Sequence, residues 1–315
     1  MLSRRLFPVV RATIIASGAL VGASSCDRSV PAARTDSVLV QPDDSAPITA
    51  TAAGDISGWI RSAGPAMFVQ GETRDEAIVL LPTEGDSAAL ARLNVLGNQG
   101  TGVVLFGRGG AHFTAELGAP PQTPDAECRV WPLRAVHGEG TENAWAVGFI
   151  GGQTAPLALD SVEALSPRDS LALAAEASRL ASTVTVPTAP SFQGLRFTAH
   201  DIHRFEASPG VQAIVAHLLR KINQEANPQE EQTLLIAERD SGVSTGPYQL
   251  VYAERTHGLE ETTMSSEVIA GVRVAGRTIL VVARDGEEGV AYAMLERTGL
   301  RRWRIRWTSG LTRCG

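Results

Sequence analysis

The first feature of this 315-residue chain that could do chemistry is a serine in the pattern G-x-S-x-G. Gly242-Val243-Ser244-Thr245-Gly246 matches the pattern that presents a nucleophilic serine on a turn between a strand and a helix. Here the pentapeptide lies between two predicted strands. His257 is the only later histidine, and no Asp lies between it and Ser244. We therefore predict a hairpin loop and no catalytic residue at this position.

Two histidines with the spacing H-x-x-H are the candidate metal ligands. His200 and His203 lie near Asp201 and Glu206 in a segment that reads as extended. Residues three apart on a strand point to opposite faces, and zinc requires three or four ligands. The sequence therefore predicts locally bonded histidines and no metal site.

The glycine-rich stretch Gly107-Arg108-Gly109-Gly110 is the candidate phosphate loop. It matches neither G-x-G-x-x-G opening a helix nor the P-loop with its lysine. We predict a tight β-turn and no nucleotide cofactor.

The most distinctive local pattern is an alternation of arginines with large apolar residues near the C-terminus. Period-2 alternation predicts Trp303, Ile305 and Trp307 on one strand face and Arg302, Arg304 and Arg306 on the other. Two interpretations stay open. The arginines pair with carboxylates of neighbouring strands, the candidates being Glu296, Glu254 and Glu238, or they form a shallow anion-binding face for an anionic envelope component or a protein partner.

Composition bounds the partners of the chain. Its net charge of −6 argues against nucleic-acid binding, although nine arginines against five acidic residues follow from Glu267 onward. Lys221 is the only lysine.

The acidic pairs Glu230-Glu231 and Glu260-Glu261 fall in predicted loops and are interpreted as solvated charge.

The first 26 residues have the organisation of an export signal. Arg4, Arg5 and Arg11 precede an uncharged run from Ala12 to Ser25, which is too short for a typical spanning helix. Ala23-Ser24-Ser25-Cys26 resembles the lipobox of bacterial lipoproteins, which implies lipidation of Cys26 and membrane attachment. It differs from the family at Ala23, where Leu, Val or Ile is usual, so ordinary cleavage stays an alternative, as does a retained anchor.

The export route is also open. Ser3-Arg4-Arg5-Leu6-Phe7 resembles the twin-arginine signal, although Pro8 follows where an apolar residue is commoner.

The remaining cysteines form an even pair. Cys128 and Cys314 in an exported chain predict a disulfide. Two buried free thiols are the alternative.

The predicted fold class is α+β, predominantly antiparallel β, with a C-terminal meander packed on one amphipathic helix. Ser166-Pro167-Arg168-Asp169 predicts a helix start. A second helix is predicted from Ser208-Pro209, because apolar residues from Val211 to Ile222 recur at helical spacing. Six strands are expected to follow: 232–238, 248–254, 267–274, 277–284, 289–297 and 301–308.

The predicted organisation has five parts. They are a signal peptide (1–26), a disordered tether (27–57), a β-rich domain (58–160), a helix and linker (161–190), and an α+β domain with the meander (191–315).

These features predict an exported, lipid-anchored protein of the bacterial cell envelope that acts by binding or assembly, with no cofactor. The alternative is an envelope hydrolase of unfamiliar type with dispersed site residues.

Overall fold

The computed structural model describes residues 59–60, 64–73, 76–80, 99–119, 133–137, 146–150, 154–185, 189–223, 227–241, 246–274, 276–309 and 311. The predicted signal peptide and tether lie outside these ranges, as do Cys26, Cys128, Cys314 and Ser244. The predictions that concern them stay predictions, and so do the predicted domain boundaries.

Sheet I is a seven-stranded antiparallel sheet formed by the N-terminal half. Its strand order is β1-β2-β3-β6-β5-β4-β7, and β2 also pairs with β7, so that the sheet closes on itself. The strands are β1 (Trp59–Ile60), β2 (Gly64–Thr73), β3 (Glu76–Leu80), β4 (Gly102–Phe106), β5 (His112–Leu117), β6 (Leu133–His137) and β7 (Val147–Ile150).

Two five-stranded antiparallel sheets follow. Sheet II has the order β13-β12-β11-β10-β9, and sheet III has the order β17-β16-β15-β14-β8. The strands are β8 (Thr154–Pro156), β9 (Asp160–Ser161), β10 (Thr198–Ser208), β11 (Val211–Ile222), β12 (Gln229–Asp240), β13 (Gln249–Leu259), β14 (Ser265–Val274), β15 (Arg277–Gly286), β16 (Gly289–Gly299) and β17 (Arg302–Thr308).

The one α-helix among the described residues, α1 (Pro167–Thr183), begins where the sequence predicts. Ser166 caps it by accepting a hydrogen bond from the Asp169 backbone N–H at 3.2 Å, and Pro167 occupies the first turn. Short 3-10 helices span Val162–Ala164 and Pro190–Phe192.

Three apolar clusters bind these elements into layers. Phe106 and Phe149 of sheet I pack against one face of sheet III. The other face of sheet III packs against sheet II, where Leu280 and Leu234 meet. The far face of sheet II is covered by Leu180 and its neighbours on α1. The predicted fold class, α+β and predominantly antiparallel β, is confirmed. The C-terminal meander divides between two facing sheets, and the helix that covers it is α1, not the amphipathic helix predicted from Ser208-Pro209.

The predicted helix over residues 209–222 is wrong, because these residues form β11. Val211, Ala213 and Val215 face sheet III, whereas Ile214, Ala216 and Leu218 face α1. A central strand buried on both faces has an almost continuous apolar sequence, which also contains helical spacings. Pro209-Gly210 forms the β10–β11 turn, with Gly210 at φ +79°.

Candidate anion-binding face

β17 is the outermost strand of sheet III among the described residues and carries the predicted arginines. Arg302, Arg304 and Arg306 are all at least one-third exposed, and Trp303 and Trp307 are buried. Arg306 is an extra residue in the register, since Leu295 pairs with Ile305 and Met294 with Trp307. This irregularity turns Trp307 toward sheet I, while Trp303 packs between sheets II and III. The prediction of one shared apolar face is therefore wrong for Trp307.

Three guanidinium groups converge on the buried carboxylate of Glu296. Arg277 Nη1 lies 2.7 Å from Glu296 Oε1, and Arg304 Nη2 lies 3.4 Å from Oε2. Arg306 Nε is 3.9 Å from the same oxygen. The glutamate side chain is 3% exposed, against 62% for Arg277 and 51% for Arg304. We call Arg277, Arg304 and Arg306 the arginine face; with Glu296 these side chains carry a formal charge of +2.

The other two carboxylates predicted to pair with the β17 arginines bind different partners. Glu254 Oε2 lies 2.6 Å from Arg284 Nη2 and accepts a hydrogen bond from the Tyr252 hydroxyl at 2.8 Å. Burial, reinforced by the Glu254 charge, raises the pKa of Tyr252 well above its ordinary value. Glu238 binds Arg297 and the indole of Trp303. Of the predicted pairs, those of Arg304 and Arg306 with Glu296 are present.

A buried ion pair on the helix side of sheet II was not predicted. Arg220 Nε donates to Glu231 Oε1 at 2.8 Å, and Arg255 Nε lies 3.4 Å from the same oxygen. The Arg220 guanidinium also stacks over the Phe197 ring at 4.3 Å. Glu231 is fully buried and Glu230 is nearly so. The interpretation of this acidic pair as solvated loop charge is wrong, because both residues lie in β12.

The only lysine joins two acidic residues at the edge of this region. Lys221 Nζ lies 2.7 Å from Glu260 Oε1 and 2.9 Å from Glu230 Oε2. The hydrogen bonds with Glu260 and Glu230 raise the pKa of the lysine.

The two predicted histidines lie on β10, with His200 at an irregularity of the register between Ala199 and Asp201. His203 is buried, and its Nε2 lies 2.9 Å from Asp201 Oδ2, whereas His200 is exposed. Burial raises the pKa of Asp201, but the bond with His203 and the charges of His203 and Arg108 outweigh it and leave that pKa below its ordinary value. Within the described ranges, no group of three or more His, Cys, Asp or Glu is arranged to hold a metal ion.

A third histidine, which carried no sequence signal, completes this region. The ring of His217 on β11 lies 5.1 Å from that of His200. His217 Nε2 lies 2.8 Å from Gln232 Oε1, and Gln232 in turn donates to Glu230. The Nδ1 atoms of His203 and His217 are buried without a hydrogen-bond partner in the described part of the chain. Burial lowers the pKa of His217, and the bond with Gln232 opposes this only in part.

The glycine-rich stretch forms the turn between β4 and β5, as predicted. Gly107 N donates to Ala111 O at 2.9 Å, and Gly110 has φ +81°. Arg108 projects from this turn, lying 3.4 Å from Asp201 Oδ2 and contacting Glu267. Its guanidinium lies between a carboxylate of sheet II and one of sheet III. The turn therefore contacts these two sheets through Arg108, which is not the arrangement of a phosphate-binding loop.

No helix among the described residues is both long enough and apolar enough to cross a membrane. A scan against protein-family models and searches of the curated proteins and the solved structures found no match to this chain. The function is therefore argued from the chain's own residues.

Proposed function

We propose that this protein is exported to the bacterial cell envelope, anchored there by lipid on Cys26, and binds an anionic envelope component through the arginine face. Binding, and not catalysis, is its task in this proposal. The single observation that carries it is the convergence of three exposed arginines on one buried glutamate.

The geometry at Glu296 leaves the guanidinium groups of Arg304 and Arg306 accessible to a ligand. The buried carboxylate needs compensation, since an isolated buried charge is costly. Arg277, at 2.7 Å, supplies a charge-assisted bond. Arg304 and Arg306 lie at 3.4 and 3.9 Å and are 51% and 37% exposed. Exposed ion pairs of this kind contribute about 0–1 kcal/mol to stability, so a ligand can compete for these two guanidinium groups at little cost to the fold.

The distribution of charge supports the same proposal. The three arginines of the arginine face and Glu296 carry a formal charge of +2 within a chain of net charge −6. A basic surface on an acidic molecule favours encounter with an anionic partner in one orientation. The tether of 27–57 would leave the globular part free to adopt that orientation near a membrane.

The test separates pairing from binding with one double variant. Arg304→Gln/Arg306→Gln leaves the Arg277–Glu296 bond in place, so we expect the free energy of unfolding to change by less than about 1 kcal/mol. Association of the full chain with phosphatidylglycerol vesicles, or with poly-glutamate as a non-lipid anion, is expected to fall. The matched control, Arg168→Gln/Arg179→Gln, removes the same charge from exposed positions of α1. Lost stability with unchanged association would contradict the proposal.

One observation favours the hydrolase alternative. Asp201 and His203 form a carboxylate–imidazole pair at 2.9 Å, the arrangement that orients a general base. The imidazole is only 5% exposed, however, so a substrate would have no direct access to it. Ester hydrolysis by the wild-type protein that is lost in His203→Gln would revive this alternative.

A further inference from the structure

A cleft of about 520 Å³ opens at the edge of sheet II, away from the arginine face. The short strand β9 pairs only with His203 and Arg204 of β10. Past Arg204, no described strand pairs with that edge of β10. The cleft lies there, between β10 and β11 of sheet II, the segment around Leu157, and β14 of sheet III. Its size falls within the range of small-molecule sites.

Two arginines reach the cleft from different sheets. Arg273 of β14 donates from Nη2 to the backbone oxygen of Glu206 at 2.7 Å, and no carboxylate of the described chain lies within 4.0 Å of it. Arg204 Nη2 lies 4.0 Å from Asp160 Oδ2, beyond hydrogen-bond distance. Both guanidinium groups therefore retain donors that a carboxylate ligand can use.

Two carboxylates of the cleft, Asp160 and Glu206, make only long contacts within the described ranges. The Asp160 side chain is 59% exposed, and its one ion pair within the described ranges is the long contact with Arg204. Glu206 Oε1 accepts one long hydrogen bond, from Gly210 N at 3.4 Å. Both can accept from an ammonium group. Gln212 adds a neutral donor, because its Oε1 is held by Arg239 at 2.7 and 3.0 Å and its amide nitrogen faces no partner in the described chain.

We propose that this cleft binds a small zwitterion, a free amino acid or a dipeptide. Its carboxylate binds Arg273 and Arg204, and its ammonium group binds Asp160 and Glu206. The four charged side chains sum to zero, so neither a simple anion nor a simple cation satisfies them all. A molecule with both charges gives each group an opposite partner, which is the condition for favourable polar binding in a partly enclosed site. This site shares no residue with the arginine face.

The experiment titrates the full chain with the dipeptide Ala-Leu and with two capped forms that need no protein variant. N-acetyl-Ala-Leu lacks the ammonium group, and Ala-Leu-amide lacks the carboxylate. We expect Ala-Leu to bind and to raise the melting temperature, because a ligand that binds only the folded chain stabilises it. Each cap should weaken binding by about tenfold or more, the cost of leaving charged partners unsatisfied.

A variant supplies the second arm. Arg273→Gln should weaken Ala-Leu binding by about tenfold, whereas Arg179→Gln on the exposed surface of α1 should leave it unchanged. Absence of Ala-Leu binding at millimolar concentration would overturn the proposal. So would N-acetyl-Ala-Leu binding as tightly as the free dipeptide, or Arg273→Gln binding as tightly as the wild type.

Discussion

Glu238 shows how single residues hold the interior of the sandwich formed by sheets II and III. It is fully buried and accepts four hydrogen bonds: from Arg297 Nε and Nη2 at 2.6 and 3.0 Å, from Trp303 Nε1 at 2.6 Å, and from the Arg301 backbone at 3.1 Å. Glutamates at 254, 231 and 296 serve the same purpose elsewhere. A buried pair of this kind is costly to break, because the remaining arginine stays buried without its counter-charge.

Replacing Glu238 should therefore destabilise the protein strongly. Glu238→Ala is expected to lower the free energy of unfolding by about 3–5 kcal/mol, measured by urea denaturation. Asp240→Ala is the matched control, since Asp240 is half-exposed and pairs with Arg301 at 3.1 Å; it should cost less than about 1 kcal/mol. Equal effects of the two substitutions would show that burial of Glu238 is not what makes it important.

His217 should give the stability of the protein a pH dependence of known sign. Burial holds its pKa below the ordinary value of 6.5, while Gln232, Asp201 and Glu230 oppose that shift and His200 adds to it. As pH falls from about 7 to about 5, the unfolded chain takes up a proton that the folded chain does not, so the free energy of unfolding decreases.

The measurement is urea denaturation across that pH range. His217→Gln should flatten the slope, whereas His112→Gln, at an exposed position, should preserve it. An unchanged slope in His217→Gln would contradict the assignment.

The candidate site was only partly predictable from these residues. Alternation alone exposes Arg304 and buries Trp303, and the pairing with Glu296 follows from adjacent strands. The convergence of Arg277 depends on the register of β15 and β16, in which Ile279 faces Glu296, and sequence does not supply register between two arbitrary strands. Glu231 gave no sign of burial, because its partners Arg220 and Arg255 lie on other strands.

At the scale of elements, the sequence predicts a helix or strand correctly where neighbouring residues determine it. Helix α1 was predictable from Ser166 and Pro167, whose capping geometry depends on neighbours within three residues. β11 was not, because its residues are buried by α1 on one face and by sheet III on the other. The turn at Pro209-Gly210 was the available signal, since a glycine there permits a positive φ.

Gly210 also provides a test of β11, because strand and helix predict opposite signs. At φ +79° an alanine is strained, and an added Cβ would meet only Ser241 Oγ at 3.9 Å, so the cost is in the backbone. Gly210→Ala should therefore destabilise by about 1 kcal/mol. In a helix the same change would stabilise by a similar amount.

The control for that test is Gly299→Ala. Gly299 has equally open surroundings but no positive φ, so thermal denaturation should show little change. Stabilisation by Gly210→Ala would contradict the strand.

At the scale of the whole molecule, the arginine face and the cleft lie on different sheets of a four-layer structure. Sheet III is covered on one face by sheet I and on the other by sheet II, and α1 covers the outer face of sheet II. The arginine face follows the outer strand of sheet III, and the cleft opens at the β10 edge of sheet II. Either can be altered while the apolar layers remain intact.

The proposed attachment of the protein to a membrane through lipid on Cys26 is tested separately. Cells expressing the full chain with labelled palmitate should yield labelled protein, and Cys26→Ser should abolish the label, since the thiol is the acylated group. A wild-type protein without label would refute lipidation and leave ordinary signal cleavage or a retained anchor.

The most direct test of anion binding is a titration of the full chain with phosphatidylglycerol vesicles at low salt. Each basic residue near an anionic surface contributes about 1 kcal/mol. Arg304→Gln/Arg306→Gln should therefore lower the partition coefficient by about 30-fold, and the Arg168→Gln/Arg179→Gln control should change it much less. Equal partition of wild type and both variants, with poly-glutamate also bound equally, would contradict the account.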